Sequence, residues 1–352
     1  MSDAHADNPP LQQDAPPPFL SVIVPVRNGA DTIADCVASL QAQTYPVGEI
    51  IVVDNGSTDE TIQRLEPFAV RLLREERRGS YVARNMGLRA ARGSLVYFTD
   101  ADCVLPPDTV ARLVATLQAQ GVAGVGGQVL PRPADTWVGR FGAVAGFLSY
   151  PQARGLVIRS PQTFLSGGLV TANILYRKDV LTEVGLFDET LPSGGDFDMC
   201  WRTLANGHAL FFEPAAEVFH QPRLTLRQLC RQFYTYGRWQ PRLLRRQPQR
   251  RNYIRIKTFI TKPLEFSFAG SPRLLVDVDI IHWLLLLTVL TPLFYPALGG
   301  WSLLVPAGLL AGMGWRTMGV VRRTGNPAWL VVYPALHVVR SAAFSAGRIR
   351  GG

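Results

Sequence analysis

Asp100 and Asp102 close an apolar stretch, Leu95-Val96-Tyr97-Phe98-Thr99, with one small residue between them. Alternate side chains of a strand face opposite ways, so a strand running into this pair can set both carboxylates on one side of its carboxyl end. Open α/β sheets gather ligands at that end. Two carboxylates held there repel each other unless a cation lies between them. Hard divalent ions take oxygen ligands from one or two carboxylates plus substrate phosphates. A solvated turn is the ordinary alternative for an Asp-x-Asp pair, and the apolar strand ahead of this one favours a site. Other polar residues fall at matching places: Asp54 ends a second apolar run, Arg84 follows Gly79, and Asp196 follows Gly194-Gly195. Each has a plain alternative, Asp54, Asp59 or Asp196 as a helix cap and Arg84 as a surface charge. Together they describe a nucleotide-diphosphate site with a carboxylate base opposite it.

These residues need strands and helices in alternation to position them. Phe19-Leu20-Ser21-Val22-Ile23-Val24-Pro25 reads as a buried strand, Thr32 to Gln43 has helical apolar spacing, and Glu49 to Asp54 is a second strand. Asn55-Gly56-Ser57-Thr58-Asp59 is rich in capping residues and predicts a helix over Thr61 to Phe68. Val70 to Arg74 is a short third strand, Tyr81 to Ala91 a helix stopped by Gly93, and the Asp-x-Asp strand the fourth. Strands alternating with helices argue a parallel, doubly wound sheet. The pattern then loosens, with Gly121 to Gly127 glycine-rich and Pro131 to Pro161 irregular. Leu169 to Arg177 predicts a strand and Lys178 to Val184 a short helix. Gly194-Gly195-Asp196-Phe197-Asp198 precedes a helix running to about Asn206, and Ala209 to Phe212 and Glu217 to His220 are two short closing strands.

The 352 residues leave room for one large domain and an addition. Met1 to Pro18, with five prolines and three aspartates, reads as a disordered tail and not as a secretory signal. Cys36, Cys103, Cys200 and Cys230 form no CxxC pair and have no zinc-like His spacing, so they read as reduced thiols. The net charge of +9 is local, because twelve Lys or Arg and no Asp or Glu lie between Gln221 and Lys262. Such a run suits phosphate or anionic lipid. Within it Leu226, Leu229, Cys230, Phe233 and Tyr236 recur at helical spacing, with Arg227, Arg231, Arg238 and Arg242 at the other positions. That pattern predicts a basic amphipathic helix at a membrane surface, or else a solvated face packed on the main domain.

Ile280 to Leu298 is apolar apart from one His and some Thr and Pro, and approaches the ~20 residues that a bilayer crossing needs. Gly299-Gly300 turns the chain into a second candidate span, Trp301 to Val321, whose Arg316 can snorkel to the headgroups. The flanking arginines put both ends on the cytoplasmic side. Trp329 to Val339 is too short to cross. A buried helical hairpin is the alternative to membrane spans.

Five motifs in order, Ser21-Val22-Ile23-Val24-Pro25, Val53 to Asp59, Gly79 to Gly87 with Ala83-Arg84-Asn85, Asp100-Ala101-Asp102 and Gly195-Asp196-Phe197-Asp198, resemble those of the family 2 glycosyltransferases. The resemblance covers roughly Phe19 to His220. It implies an α/β GT-A nucleotide-diphospho-sugar transferase fold with a mainly parallel central sheet. The basic amphipathic segment and a C-terminal membrane helical hairpin then follow. The chain so divides into a tail (1–18), a GT-A domain (19–222), an interfacial segment (223–275) and membrane helices (276–352).

The resemblance also implies roles. Pro25, Asp54, Gly79, Arg84 and Asp100 belong to the nucleotide site, with Asp54 at the uracil and Asp100 at the ribose. Asp102, together with His220, holds Mg²⁺ or Mn²⁺, and Asp196 is the general base. Arg202, Arg238 and Trp239 face the acceptor or the diphosphate. The implied partners are a nucleotide-sugar donor, a UDP-sugar favoured, a lipid-linked or glycan acceptor, and anionic membrane lipids, with no nucleic acid. The implied location is the inner membrane, with the catalytic domain on its cytoplasmic side.

An inverting transfer needs one carboxylate to take the acceptor proton and a divalent ion to offset charge on the leaving diphosphate. It does not need the second carboxylic acid of the glycoside hydrolases. Asp198 lies four residues before Arg202, the spacing of an intrahelical ion pair, which leaves Asp196 as the base. The chain departs from the family in two places. Gly195 stands where a Glu is common, and Thr235-Tyr236-Gly237-Arg238-Trp239 lacks the Gln of the processive Gln-x-x-Arg-Trp motif. The missing Gln argues against a polymer-extruding synthase. A catalytically silent nucleotide-sugar-binding scaffold is one rival reading. A nucleic-acid binder that stacks bases on the aromatics of the arginine run is another. No GxGxxG follows the first strand, which weighs against an oxidoreductase.

Overall fold

The computed structural model describes residues 16–146, 155–159, 169–245, 251–256, 264–269, 275–278, 296–297 and 304–351. In chain order the first elements are β1 (Leu20–Val26), α1 (Ile33–Gln41), β2 (Val47–Asp54), β3 (Arg71–Arg74), α2 (Ser80–Ala90) and β4 (Leu95–Thr99). β5 (Cys103–Val104), α3 (Thr109–Gln120), β6 (Gly124–Pro131), α4 (Trp137–Ala145) and β7 (Leu156–Ile158) come next. β8 (Asn173–Arg177), α5 (Lys178–Glu183), α6 (Gly195–Ala205) and β9 (Leu210–His220) complete the globular part. One mixed sheet runs β3-β2-β1-β4-β8-β6-β9-β5, with β7 on the outer side of β9. Its first four strands are parallel; β8 runs antiparallel between β4 and β6.

The central strands are buried on both faces, which is why they read as continuous apolar runs and not as alternating ones. Val22, Val24, Val52 and Tyr97 enter one apolar layer with the α1 and α3 side chains. Ile23, Ile51, Val96 and Phe98 point the other way, toward α2, α5 and α6.

A bulge in β9 brings its end to the functional edge. Gly127 pairs with Glu213 but Gln128 pairs with Glu217, so β9 carries extra residues at that step. Bulges bend a strand and leave backbone groups without ladder partners. Buried Asn173 supplies the partners: its Nδ2 donates to the carbonyls of Gln128 (3.0 Å) and Ala216 (2.8 Å), and its Oδ1 accepts from the Tyr97 hydroxyl (2.9 Å). The amide fits because position 127 is glycine; a Cβ there would lie 2.1 Å from the Ala216 oxygen and 2.3 Å from Asn173 Nδ2. Beyond the bulge His220 pairs with Cys103, beside Asp102.

Some elements differ from the sequence expectation. Thr61 to Phe68 holds only a 3₁₀ turn, Gln63–Leu65. Asp59 turns back onto the Thr61 amide and hydroxyl, and Leu65 is the turn's one buried residue, so no helical face can be covered. The two closing strands are one continuous β9, the glycine-rich stretch is largely β6, and the irregular excursion contains α4 and β7. Among the described residues of the interfacial segment 223–275, the helix is confined to its start, α7 (Leu226–Arg245). The chain then forms β10 (Arg251–Ile256), β11 (Leu264–Ala269) and β12 (Leu275–Val278), a separate three-stranded sheet. The strict alternation of Leu264, Phe266 and Phe268 with Glu265, Ser267 and Ala269 is the period-2 signal for β11.

Two long helices end the chain, α8 (Leu304–Thr324) and α9 (Trp329–Gly351). Ile280 to Leu298, the first expected span, lies outside the described residues except for Pro296 and Ala297. Among the described residues α9 is the one helix long and apolar enough to cross a membrane; α8 holds Arg316, Arg322 and Arg323. α9 outruns its apolar segment because Arg340 to Gly351 continues the same helix. It lies alongside α7 in the same direction, with Arg340 over the Phe233 ring (5.3 Å) and Gly351 against Arg238. The backbones touch: added Cβ atoms at Gly237, Gly347 and Gly351 would fall 1.9–2.1 Å from carbonyl oxygens of the facing helix. Leu229 and Phe233 join Phe141, Val320, Trp329 and Tyr333 in one apolar cluster, while Arg227, Arg231, Arg238 and Arg242 are exposed.

Asn173→Leu keeps the side-chain volume but removes the amide that serves the Gln128 and Ala216 carbonyls and the Tyr97 hydroxyl. At ~1–3 kcal/mol for each unsatisfied group, urea denaturation should show a loss on the order of 3 kcal/mol or more. Wild-type stability in that variant would mean the bulge does not depend on this amide.

Candidate active site

The residues expected at the nucleotide come together in three loops at the carboxyl ends of β1, β2 and β3. Pro25 pairs across the sheet with Val53, one residue before Asp54. Buried Asp54 accepts from the Ser57 amide (3.1 Å), so the turn role and a ligand role share one carboxylate with an oxygen to spare. Asn28 holds φ at +52° and its Oδ1 accepts from the Thr58 amide (2.9 Å), which clips the loop after β1 to the loop after β2. Asn55 was not anticipated. Its Nδ2 donates to the carbonyls of Glu75 and Arg77 and its Oδ1 accepts from the Gly79 amide (2.8 Å). Gly79, at φ +147°, then opens α2 in a conformation that side chains rarely adopt.

Asp100 and Asp102 do not stand side by side on a strand, since β4 ends at Thr99 and a turn follows. Asp100 turns to Arg84, which is only 4% exposed and makes an ion pair with Asp100 Oδ1. Arg84 Nε is buried without a hydrogen-bond partner. Asp102 turns to His220, with Oδ1 3.3 Å from Nε2. Burial raises the Asp102 pKa, and the imidazole works against that rise.

Ligand atoms of Asp102, Cys103 and His220 lie within 4.8 Å of one another. Burial pushes the Cys103 thiol well up, so it stays protonated and offers a poor ligand. The remaining carboxylate and imidazole suit Mn²⁺ or a similar divalent ion, with room for substrate oxygens. The donor set therefore fits the metal expected from sequence.

Asp196 opens α6, and its Oδ1 accepts from the Phe197 amide (3.0 Å). Burial pushes its pKa up to about 6; the Phe197 amide and the Arg84 charge oppose that shift, and Asp100 adds to it. A carboxylate so placed is ionised at neutral pH yet basic enough to take a proton. Asp198 is committed elsewhere: it accepts from Arg202 Nε (2.9 Å). Arg202 is itself spent, because its terminal nitrogens donate to the carbonyls of Val184, Gly185 and Leu186. It braces the α5–α6 loop, and its expected place on the acceptor or diphosphate side is corrected.

Arg238 and Trp239 lie on α7, with the Trp239 ring under both Arg238 (5.6 Å) and Arg242 (4.5 Å). Three residues near the carboxylates escaped the sequence reading. Tyr81 contacts Gly195 and feels the Asp196 charge. Arg223 acts on Asp102, and Tyr236 of α7 feels Asp196 and Asp100. The aromatic positions of the amphipathic segment were visible as a helix face, but nothing in the spacing said that this face borders the site.

The family model described as Glycosyl transferase family 2 matches residues 21–185. Glycosyltransferase AglE of Haloferax volcanii is 34% identical over 203 residues, 55% of this chain and 64% of that protein. The pre-mycofactocin glycosyltransferase of Mycobacterium tuberculosis is 31% identical over 224 residues, 62% of this chain and 46% of that protein. The chain thus spans less than two thirds of either relative. Among solved structures, the mannosyltransferase PcManGT of Pyrobaculum calidifontis, in complex with GDP-Man and Mn²⁺, matches with a TM-score of 0.55 at 20% identity, covering 95% of this chain and 87% of that one. S. aureus TarS 1-349 in complex with UDP-GlcNAc matches with a TM-score of 0.51 at 18% identity, covering 95% and 90%. Residues 21–185, which carry Asp54, Arg84, Asp100 and Asp102, are a family 2 glycosyltransferase domain, and the α/β fold around them is of GT-A type.

Proposed function

We propose that this protein transfers a sugar, with inversion, from a nucleotide-diphosphate sugar to a hydroxyl acceptor, and that a UDP-sugar is the favoured donor. The observation that carries the reading is the grouping of Asp100, Asp102 and Asp196 around buried Arg84 and His220. Asp196 takes the proton of the attacking hydroxyl. As it does so, the new bond to the anomeric carbon forms and the bond to the diphosphate oxygen breaks, the leaving group keeping the electron pair. A divalent ion held by Asp102 and His220 would offset the charge that gathers on that leaving group. Arg84, fixed by Asp100, adds a positive charge on the nucleotide side. The two structural neighbours named above carry GDP-Man with Mn²⁺ and UDP-GlcNAc, both nucleotide-diphosphate sugars.

The acceptor in this reading is lipid-linked or an envelope glycan, met at the cytoplasmic face of the inner membrane. Exposed Leu310, Trp315 and Met318 on α8 and Leu330 and Val331 on α9 support membrane contact. So does the absence of Asp and Glu from 280 to 352. Within this proposal residues 19–222 form the catalytic unit, and the segments beyond bring it to anionic lipid.

The defining experiment is a screen of UDP- and GDP-sugars for nucleoside diphosphate release, with Mn²⁺ or Mg²⁺ and membranes present. Release from at least one donor is expected; no release from any would remove the transferase reading. With a donor in hand, Asp102→Asn should abolish the metal requirement together with nearly all turnover, and full turnover in excess chelator would refute the metal assignment. Asp196→Asn should bind donor normally by calorimetry and lose transfer by ~10²–10⁴-fold. The wild-type rate should fall as pH drops through about 6, because protonation there removes the base. If Asp198→Asn abolished transfer and Asp196→Asn did not, the two roles would have to be exchanged.

A further inference from the structure

The structure gives the faces of α7 to different surroundings. Leu229 and Phe233 are buried with Phe141, Val320, Trp329 and Tyr333, and the Gly237 backbone lies against the Phe344 carbonyl of α9. Near the helix end Leu243 is buried against the entry to α6: its Cδ2 lies 2.6 Å from where a Cβ on Gly194 would be, and Gly194 holds a left-handed φ of +82°. The side that remains carries Arg227, Arg231, Arg238 and Arg242, all exposed. At about 100° per residue the four fall within roughly 60° of one another, and they are turned about 100–160° away from Leu243. At a rise of about 1.5 Å per residue the stripe runs for roughly 22 Å.

Among the described residues no carboxylate lies within ion-pair distance of any of the four. None is close in sequence either, since Gln221 to Lys262 holds no Asp or Glu. Like charges in a row repel one another and are relieved by an extended array of anions. A single diphosphate is too short to serve the whole stripe, and the stripe faces away from the entry to α6. Nucleic acid is disfavoured because bases need open aromatic faces to stack on. Phe233 is buried, and the Trp239 ring is taken by the guanidinium groups of Arg238 (5.6 Å) and Arg242 (4.5 Å).

We propose that Arg227, Arg231, Arg238 and Arg242 form a strip that rests on the headgroups of an anionic membrane, and that α7 is held there by charge and does not insert. Its apolar face cannot enter lipid because Leu229 and Phe233 are already covered within the protein. Entry into the bilayer is left to α8, where Leu310 and Trp315 are 67% and 73% exposed. The proposal rests on the reading that the segments beyond 222 meet anionic lipid. It moves Arg238 from the acceptor or diphosphate side, where the family resemblance put it, to the lipid side.

The test is flotation of the full-length protein, diluted out of detergent, with vesicles of phosphatidylcholine alone or with an equal part of phosphatidylglycerol. Each arginine near an anionic surface is worth about fivefold in partition, so wild type should prefer the mixed vesicles by roughly a hundredfold or more at low salt. Salt at about 1 M shortens the Debye length to ~3 Å and should remove that preference. Arg227→Gln with Arg231→Gln, and Arg238→Gln with Arg242→Gln, should each lower binding to the mixed vesicles about twentyfold and leave binding to neutral ones unchanged. The matching Lys pairs should keep the preference, because a field of headgroups reads charge and not the guanidinium fork. Trp315→Ser should weaken binding to both vesicle types by a common factor.

Equal binding of wild type to the two kinds of vesicle, or mixed-vesicle binding that either Gln pair leaves intact, would overturn the role of the strip while membrane attachment stood. So would a Lys pair as weak as its Gln pair, which would point to a ligand that needs the guanidinium fork. Failure to float with either vesicle would remove the membrane reading, and the proposal with it. Retention of a mixed-sequence RNA oligonucleotide that the Gln pairs abolish, without vesicle binding, would assign the strip to nucleic acid and overturn the proposal as well.

Discussion

A buried guanidinium ties this site together. Arg84 is withdrawn from water, and a cation so placed is costly to the fold unless its nitrogens are satisfied. Asp100 meets one end of the fork, the Tyr81 ring lies beneath it, and Nε has no partner. That incomplete set is suited to an anion. The same charge moderates Asp196 on the opposite wall, so a single side chain on α2 links the nucleotide side to the basic side of the cleft.

The carboxylates are separated by assignment to different partners. Asp100 is bound to Arg84, Asp102 faces His220, and Asp198 is locked to Arg202. Asp196 alone of the four has no cationic partner at ion-pair distance among the described residues, and its burial pushes its pKa up to about 6. The division depends on distant structure. His220 reaches Asp102 because β9 bulges between Glu213 and Glu217, and the bulge is tolerated because Gly127 leaves room for the amide of Asn173. A small residue in one strand and an amide in its neighbour thus set the geometry of a site at the sheet edge.

Much of this was legible in the chain itself. The apolar strands leading to Asp54 and Asp100, and the glycine ahead of α2, follow from burial on both sheet faces and from turn chemistry that local sequence specifies. The pairing of Asp198 with Arg202 followed from helical spacing. What the sequence could not convey was partnership across the fold. Nothing in the spacing shows that Arg202 is consumed by three carbonyls, that Asn55 fastens Gly79, or that Tyr81 meets Gly195. The helix expected after Asp59 failed for a local reason, since capping residues raise the chance of a helix start but cannot supply an apolar face. The strands β10–β12 were masked by the arginine run, which drew attention to charge where the alternation of Leu264 to Ala269 was the better guide.

The contact between α7 and α9 has a consequence for how the molecule comes into being. These helices run side by side with glycine backbones in touch, although one follows directly on β9 and the other lies far downstream of it. During synthesis α7 emerges long before its companion exists, with Leu229 and Phe233 uncovered. Any surface that shields this face in the interval, whether lipid or another protein, must later be exchanged for α9. The wall that presses Leu243 against Gly194 is therefore completed only after α9 has emerged.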